Sequence, residues 1–201
     1  MSVGDNSYQK FTAFHNTGVN ELGWSSSFLL GFWQGDGWRN GMQGEGTTYA
    51  FSVGYTPRGS DHEFNFSLIG AGQWHHQSYY GTQLQDYLDY GPIQGDDYRK
   101  FNALYGDYRG EEFSILRNYY NKPLATFNWD WEISSRVTLA TSLYGSAGRG
   151  GGTGLRGRGS FGVNPFRESF AEYLDDHGEW RNSDTTINWD VAVQKNMAGA
   201  H

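Results

Sequence analysis

Between residues 124 and 133 the chain places Phe127, Trp129, Trp131 and Ile133 on one parity and Thr126, Asn128, Asp130 and Glu132 on the other. Successive side chains of a strand point to opposite faces, so this stretch makes a ribbon that is dry on one side and wet on the other. After Ser134, Ser135 and Arg136 the pattern resumes with Val137, Leu139 and Leu143 against Thr138, Ala140 and Ser142. Two such runs joined by so short a break read as an antiparallel hairpin.

The same alternation recurs along the chain. A first strand is expected over residues 8–16 and a second over 23–33. A third sets Tyr49, Phe51, Val53 and Tyr55 against Thr48, Ala50, Ser52 and Gly54, and a fourth carries Phe64, Phe66 and Leu68. Turns at 17–21 and 56–61 are short and rich in Gly, Asn, Asp and Pro. Residues 35–41 form a Gly-rich connection, 73–116 a long one without sustained alternation, and 146–182 a second long excursion. A final strand is expected to put Ile187, Trp189, Val191 and Val193 opposite Thr186, Asn188 and Asp190. Short turns at one end and long loops at the other, apolar toward lipid and polar toward a lumen, describe an up-and-down transmembrane β-barrel.

The expected fold is therefore all-β: an antiparallel up-and-down transmembrane β-barrel segment of about seven strands with long extracellular loops. Single-chain bacterial barrels use at least about eight strands, so residues 1–201 are read as one partial, incomplete barrel domain. With short turns on the periplasmic side, its N-terminus is expected at the outer surface and its C-terminus at the periplasmic one.

Composition agrees once the barrel geometry is allowed for. Aromatics are 17% of the chain, glycines number 29 and prolines 4, while mean hydropathy is only −0.70. Alternate residues alone touch lipid in such a wall, so the average stays polar. No run approaches the ~18 apolar residues of a membrane helix. Cysteine is absent, which excludes a disulfide scaffold and a thiolate zinc site. A net charge of −7 without a basic stripe argues against nucleic acid as a partner. Residues 1–7 hold neither a charged n-region nor an apolar h-region, so the chain is expected to begin downstream of the start of a longer polypeptide.

Several motifs resemble the barrel domain of TonB-dependent outer-membrane receptors. The fullest is Asn118-Tyr119-Tyr120-Asn121-Lys122-Pro123 leading into Phe127 to Trp131, then Leu143-Tyr144-Gly145-Ser146-Ala147-Gly148 and the run Arg149 to Gly154. Thr17-Gly18, Gly35-Asp36-Gly37 and the segment Gly70 to Gln77 add to it. The resemblance implies a mid-barrel section, about a third of a barrel of roughly 22 strands. It also implies an outer-membrane location in a Gram-negative bacterium and transport of a siderophore, vitamin or oligomeric nutrient. Plug domain and TonB box are not visible in this sequence. Implied partners are outer-membrane lipid, the remainder of the barrel and plug, the TonB system through regions outside this section, and a surface lipoprotein.

Ligand contact in the outer loops is assigned to Trp38, Trp74, His75, Tyr79, Tyr80, Arg149 and Arg156. A membrane girdle is assigned to Trp33 and Tyr144. The lipid-facing set is Phe64, Phe66, Phe127, Trp129, Trp131, Ile187 and Trp189. No cofactor is assigned. His75 and His76 are adjacent and point to opposite faces of a strand, a poor arrangement for one metal ion. The run Arg149 to Gly154 lacks the Gly-Lys-Ser/Thr ending of a phosphate loop, and its glycines suit tight backbone packing instead. The pairs Asp96-Asp97, Glu111-Glu112 and Asp175-Asp176 lack the spacing of a calcium loop. No nucleophile elbow or His-Glu-x-x-His helix supports an enzyme. The competing reading is a soluble, aromatic-rich β-sandwich that binds carbohydrate through Trp38, Trp74 or Tyr80.

Overall fold

The computed structural model describes residues 1–78, 82–154 and 181–198. It is mostly antiparallel sheet with few helices, and the chain divides into two compact units. The first comprises Met1–Gln34, Glu45–Trp74 and Tyr119–Gly151, and the second Gly35–Gly44, His75–Asn118 and Gly152–His201.

The first unit is built on one large sheet. Its long members are β2 (Gln9–Asn16), β3 (Trp24–Gly35), β4 (Gly44–Tyr55) and β5 (His62–His76), in sequence order. A two-residue β1 (Ser2–Val3) lies against the start of β2. The far edge of β5 is lined first by β8 (Arg117–Asn121) and then by β9 (Leu124–Ser134). These pair in turn with β11 (Arg149–Gly152) and β10 (Val137–Ser146). Lys122-Pro123 and Ala147-Gly148 interrupt neighbouring strands, and the Ser146 hydroxyl donates to the Pro123 carbonyl at 2.7 Å beside the break. Counted as continuous runs, six long strands form a meander. Its outer members β2 and β10 are not paired to each other among the described residues, so the sheet is open.

Register fixes the faces. Phe64 lies opposite Trp129, Phe66 opposite Phe127 and His62 opposite Trp131, while Leu139 faces Trp131 and Leu143 faces Phe127. On the first hairpin Phe11 pairs with Phe32 and Ala13 with Leu30. These residues share one face, along which Trp129 and Trp131 lie parallel at 6.2 Å and Trp24 stacks on Tyr55 at 4.2 Å. The opposite face carries Glu63 against Asp130, Asn65 against Asn128 and Ser67 against Thr126. Nothing within this unit covers the apolar face: Leu30 is 56% exposed and Phe66 42%.

Two assignments change here. Trp33 pairs with Lys10 and Tyr144 with Thr126, which puts both on the polar face rather than in a girdle on the apolar one. The physical reason is the two-residue period of a strand, in which one position decides the side. Trp33 lies over Gly46, where a Cβ would come within 2.5 Å of its Nε1.

The second unit has a core of its own. It contains α1 (Leu84–Gln94), a single 3-10 turn at Tyr98–Lys100, β6 (Gly106–Tyr108), β7 (Glu111–Phe113), β12 (Ile187–Asn188) and α2 (Trp189–Met197). β6 pairs antiparallel with β7 and parallel with β12. Ile187 (1% exposed), Trp189 (3%) and Ala192 form a buried cluster, with Leu104, Tyr108, Phe113 and Ile115 packed on it. Phe101 forms a second, against Tyr87, Tyr90 and Ala103.

This overturns the expected seventh strand. Asn188 accepts the Val191 N–H at 3.1 Å, an N-cap, and Asp190 sits in the first turn of a helix. Trp189 and Ala192 then share a face at helical spacing. Ile187 and Trp189 are core residues, so they do not belong to the lipid-facing set. With six long strands, the chain leaves the sheet at the end where it entered, which removes the expected exit at the opposite side.

Candidate functional site

The connection Gly35–Gly44 is held by amides rather than by apolar packing. Asn102 is buried, and its side-chain N–H donates to the Asn40 carbonyl at 2.7 Å. The Gln94 side chain closes on the Asn102 backbone from both sides, accepting its N–H at 2.9 Å and donating to its carbonyl at 3.0 Å. Asn40 N–H donates to the Lys100 carbonyl at 3.0 Å. Gly37 and Gly41 take φ of 75° and 69°, values an L side chain resists. The Tyr105 ring fills the space beside Gly41.

This frame presents Trp38 to solvent, 53% exposed. The Arg99 guanidinium carbon lies 5.8 Å from the centre of its ring and the Lys100 ammonium 5.7 Å. Arg99 is also forked onto Asp97, with Nε and Nη2 each 2.8 Å from a carboxylate oxygen. Those bonds hold the Asp97 carboxyl below its ordinary range. Arg39 reaches Ser78 at 2.8 Å and lies over Tyr87 at 5.4 Å. Both cations lie over the exposed ring, a cation–π arrangement that ties the turn at Tyr98–Lys100 to the Trp38 side chain.

The other expected ligand residues fall elsewhere. Trp74 continues the parity of Phe64 to Leu68 and donates to Glu45 at 2.8 Å, so it stands at the end of the apolar face. His75 is part-buried at the end of β5. His76 beside it is buried, and its backbone N–H donates to Gln43 at 2.9 Å. Burial first, then the charge of Arg117, lowers the His76 pKa and favours neutral imidazole. Arg149 opens β11, exposed. Two glycines later in its run pack on Tyr119 and Tyr120, and a Cβ at Gly150 would sit 3.0 Å from both the Tyr119 carbonyl oxygen and the Tyr120 Cβ. Tyr79, Tyr80 and Arg156 lie outside the described residues, as do Asp175 and Asp176.

A carboxylate group gathers in the second unit. One oxygen of Glu112 is buried without a hydrogen-bond partner among the described residues. Burial, followed by the charges of Asp36 and Asp107, raises its pKa. Burial and the charges of Glu112, Asp107 and Asp184 raise that of Tyr105. Among the described residues no three His, Asp or Glu side chains are placed to hold a metal ion.

Sequence reasoning singled out Trp38 but missed Arg99, Lys100, Gln94 and Asn102. Asp97 capping the turn at Tyr98–Lys100 was the available signal, since an Asp two residues before an Arg can hold that turn. No family model matches the chain, and no curated protein or solved structure matches it.

Proposed function

We propose that the chain is a section of the wall and outer loops of a TonB-dependent receptor barrel in an outer membrane. Such a receptor imports a siderophore, vitamin or oligomeric nutrient. The observation that carries this reading is an uncovered apolar face on strands long enough to cross a bilayer. β3, β4, β5, β9 and β10 have 12, 12, 15, 11 and 10 residues. A tilted membrane strand needs about 9–11, whereas strands of globular proteins average about 5–6. Each large apolar side chain left in water forgoes about 1.5–3 kcal/mol, and Phe28, Leu30, Phe51, Phe66, Phe127 and Leu143 all lie open on this face.

Acyl chains would supply the missing contact, and the polar face with Glu63, Asn65, Asn128 and Asp130 would border an aqueous lumen. Strands from the rest of the barrel would satisfy the open edges of β2 and β10, which lipid cannot hydrogen-bond. The plug, the TonB system and a surface lipoprotein complete the proposed assembly, and the section itself is assigned no chemical step. A sandwich would require a second layer on the apolar face, which the first unit lacks.

The absence of native cysteine makes the test direct. Nitroxide labels on Phe66→Cys and Phe127→Cys, in chain folded into phospholipid vesicles, are expected to meet lipid-dissolved oxygen. Labels on Asn65→Cys and Asn128→Cys are expected to meet a water-soluble nickel chelate. Equal aqueous accessibility at all four positions, or a monodisperse monomer in detergent-free buffer, overturns the reading.

A further inference from the structure

We propose that His62 and Trp129 form a proton-operated latch at the short-turn end of the large sheet, in which acid releases the Trp129 indole from the place it holds at neutral pH. His62 opens β5 and is part-buried on the face that carries Phe64, Phe66 and Leu68, where a polar ring needs a partner. Its register partner on β9 is Trp131. The centre of its ring lies 5.4 Å from that of Trp131, 5.9 Å from Trp129 and 6.1 Å from Phe64. The Trp129 indole N–H donates to His62 Nδ1 at 3.2 Å, and among the described residues it has no other acceptor.

An indole nitrogen can only donate, so this bond exists only while Nδ1 keeps its lone pair. The neutral ring therefore carries its proton on Nε2. A second proton goes to Nδ1 and sets N–H against N–H, which removes the bond. Imidazoles take that proton between about pH 5 and pH 8. The imidazolium is then drawn to the face of an indole rather than to its N–H edge, so Trp129 must turn. Trp129 now lies within 9° of the Phe64 plane and within 7° of the Trp131 plane, and that parallel file would break.

The charged groups around His62 leave the indole bond as the event that answers to the proton. β9 brings Trp129 and Trp131 to its side, while Asp130 pairs with Glu63 on the opposite face and Glu132 shares their parity. β4 ends at Tyr55, stacked on Trp24. Arg58 and Asp61 lie in the turn that leads into His62. The latch works whatever covers the apolar face, so its failure would leave the barrel-wall reading untouched.

The test is nuclear magnetic resonance of the full chain in detergent, labelled with nitrogen-15, with Trp129 assigned by Trp129→Phe. At about pH 8 the His62 nitrogens are expected to show the Nε2–H tautomer, with a scalar coupling between Nδ1 and the Trp129 indole nitrogen. Towards about pH 5 the coupling should vanish and the Trp129 indole proton should move upfield, with the midpoint at which the His62 ring protons titrate. His62→Gln offers an acceptor that does not titrate, so its Trp129 signal should stay put across the range. An Nδ1–H tautomer at the alkaline end, a coupling that survives in acid, or the same Trp129 shift in His62→Gln overturns the proposal. The wild-type titration alone decides it if His62→Gln does not fold.

Discussion

Trp129 and Trp189 come from alternating sequences that look alike, and they end in opposite surroundings. Trp129 stands in a file of aromatic rings on a sheet face that its own unit leaves open, whereas Trp189 is buried at the start of a helix. The contrast holds for the two units as wholes. Every buried apolar side chain among the described residues, namely Phe101, Ile187, Trp189 and Ala192, belongs to the second unit. A period-two pattern therefore tells which residues share a side, and only tertiary structure tells what lies against that side.

The largest expected effect falls on the buried member of the pair. Trp189→Ala should cost about 3–5 kcal/mol through the cavity it leaves. Hydrogen exchange at Gly106–Tyr108 and Glu111–Phe113 should accelerate while exchange across the Phe64/Trp129 pairing does not. Equal acceleration in both would erase the contrast. Next comes Phe66→Arg on the open face. In vesicles a charge near the bilayer midplane should cost about 2–4 kcal/mol, read by urea unfolding. In water an exposed surface change stays within about 0.5 kcal/mol, so a neutral result in vesicles would place Phe66 outside the lipid.

The smallest effect concerns Glu112. Its folded-state pKa is raised above the ordinary 4.5, so the native state takes up a proton more readily than the unfolded chain. Its stabilising contribution is complete below pH 4.5 and is lost as pH rises through the raised value. Glu112→Gln should flatten that part of the pH dependence, seen in exchange of β6 and β7 between pH 4 and pH 7. An unchanged slope would remove Glu112 as its source.

How far the sequence could be read follows from the same contrast. The hairpins were legible because Phe127, Trp129 and Trp131 alternate with Asn128 and Asp130, and because Pro57 and Gly59 mark a turn. Face assignments failed where a single position decides, at Trp33 and Tyr144. The strand read through Ile187, Trp189 and Val191 failed because Asn188 and Asp190, taken as its polar face, instead cap and open a helix. Nothing periodic marks residues 73–116, whose core rests on Phe101 and on the amides of Asn102 and Gln94. Trp38 was recognisable as a ligand candidate by its type and loop, but the cations beside it come from sequence some 60 positions away, a separation that local patterns cannot bridge.

Among the described residues the outer margin of β10 pairs with no strand, and that has a practical consequence. From Val137 to Ser146 its outward amides and carbonyls form a ready template, and Leu139 and Leu143 give the same strip an oily side. Separated from whatever adjoins it, this strip should recruit like strips into fibrils. A proline placed there at an outward-pointing amide would blunt that growth and leave the hydrogen bonds to β9 in place.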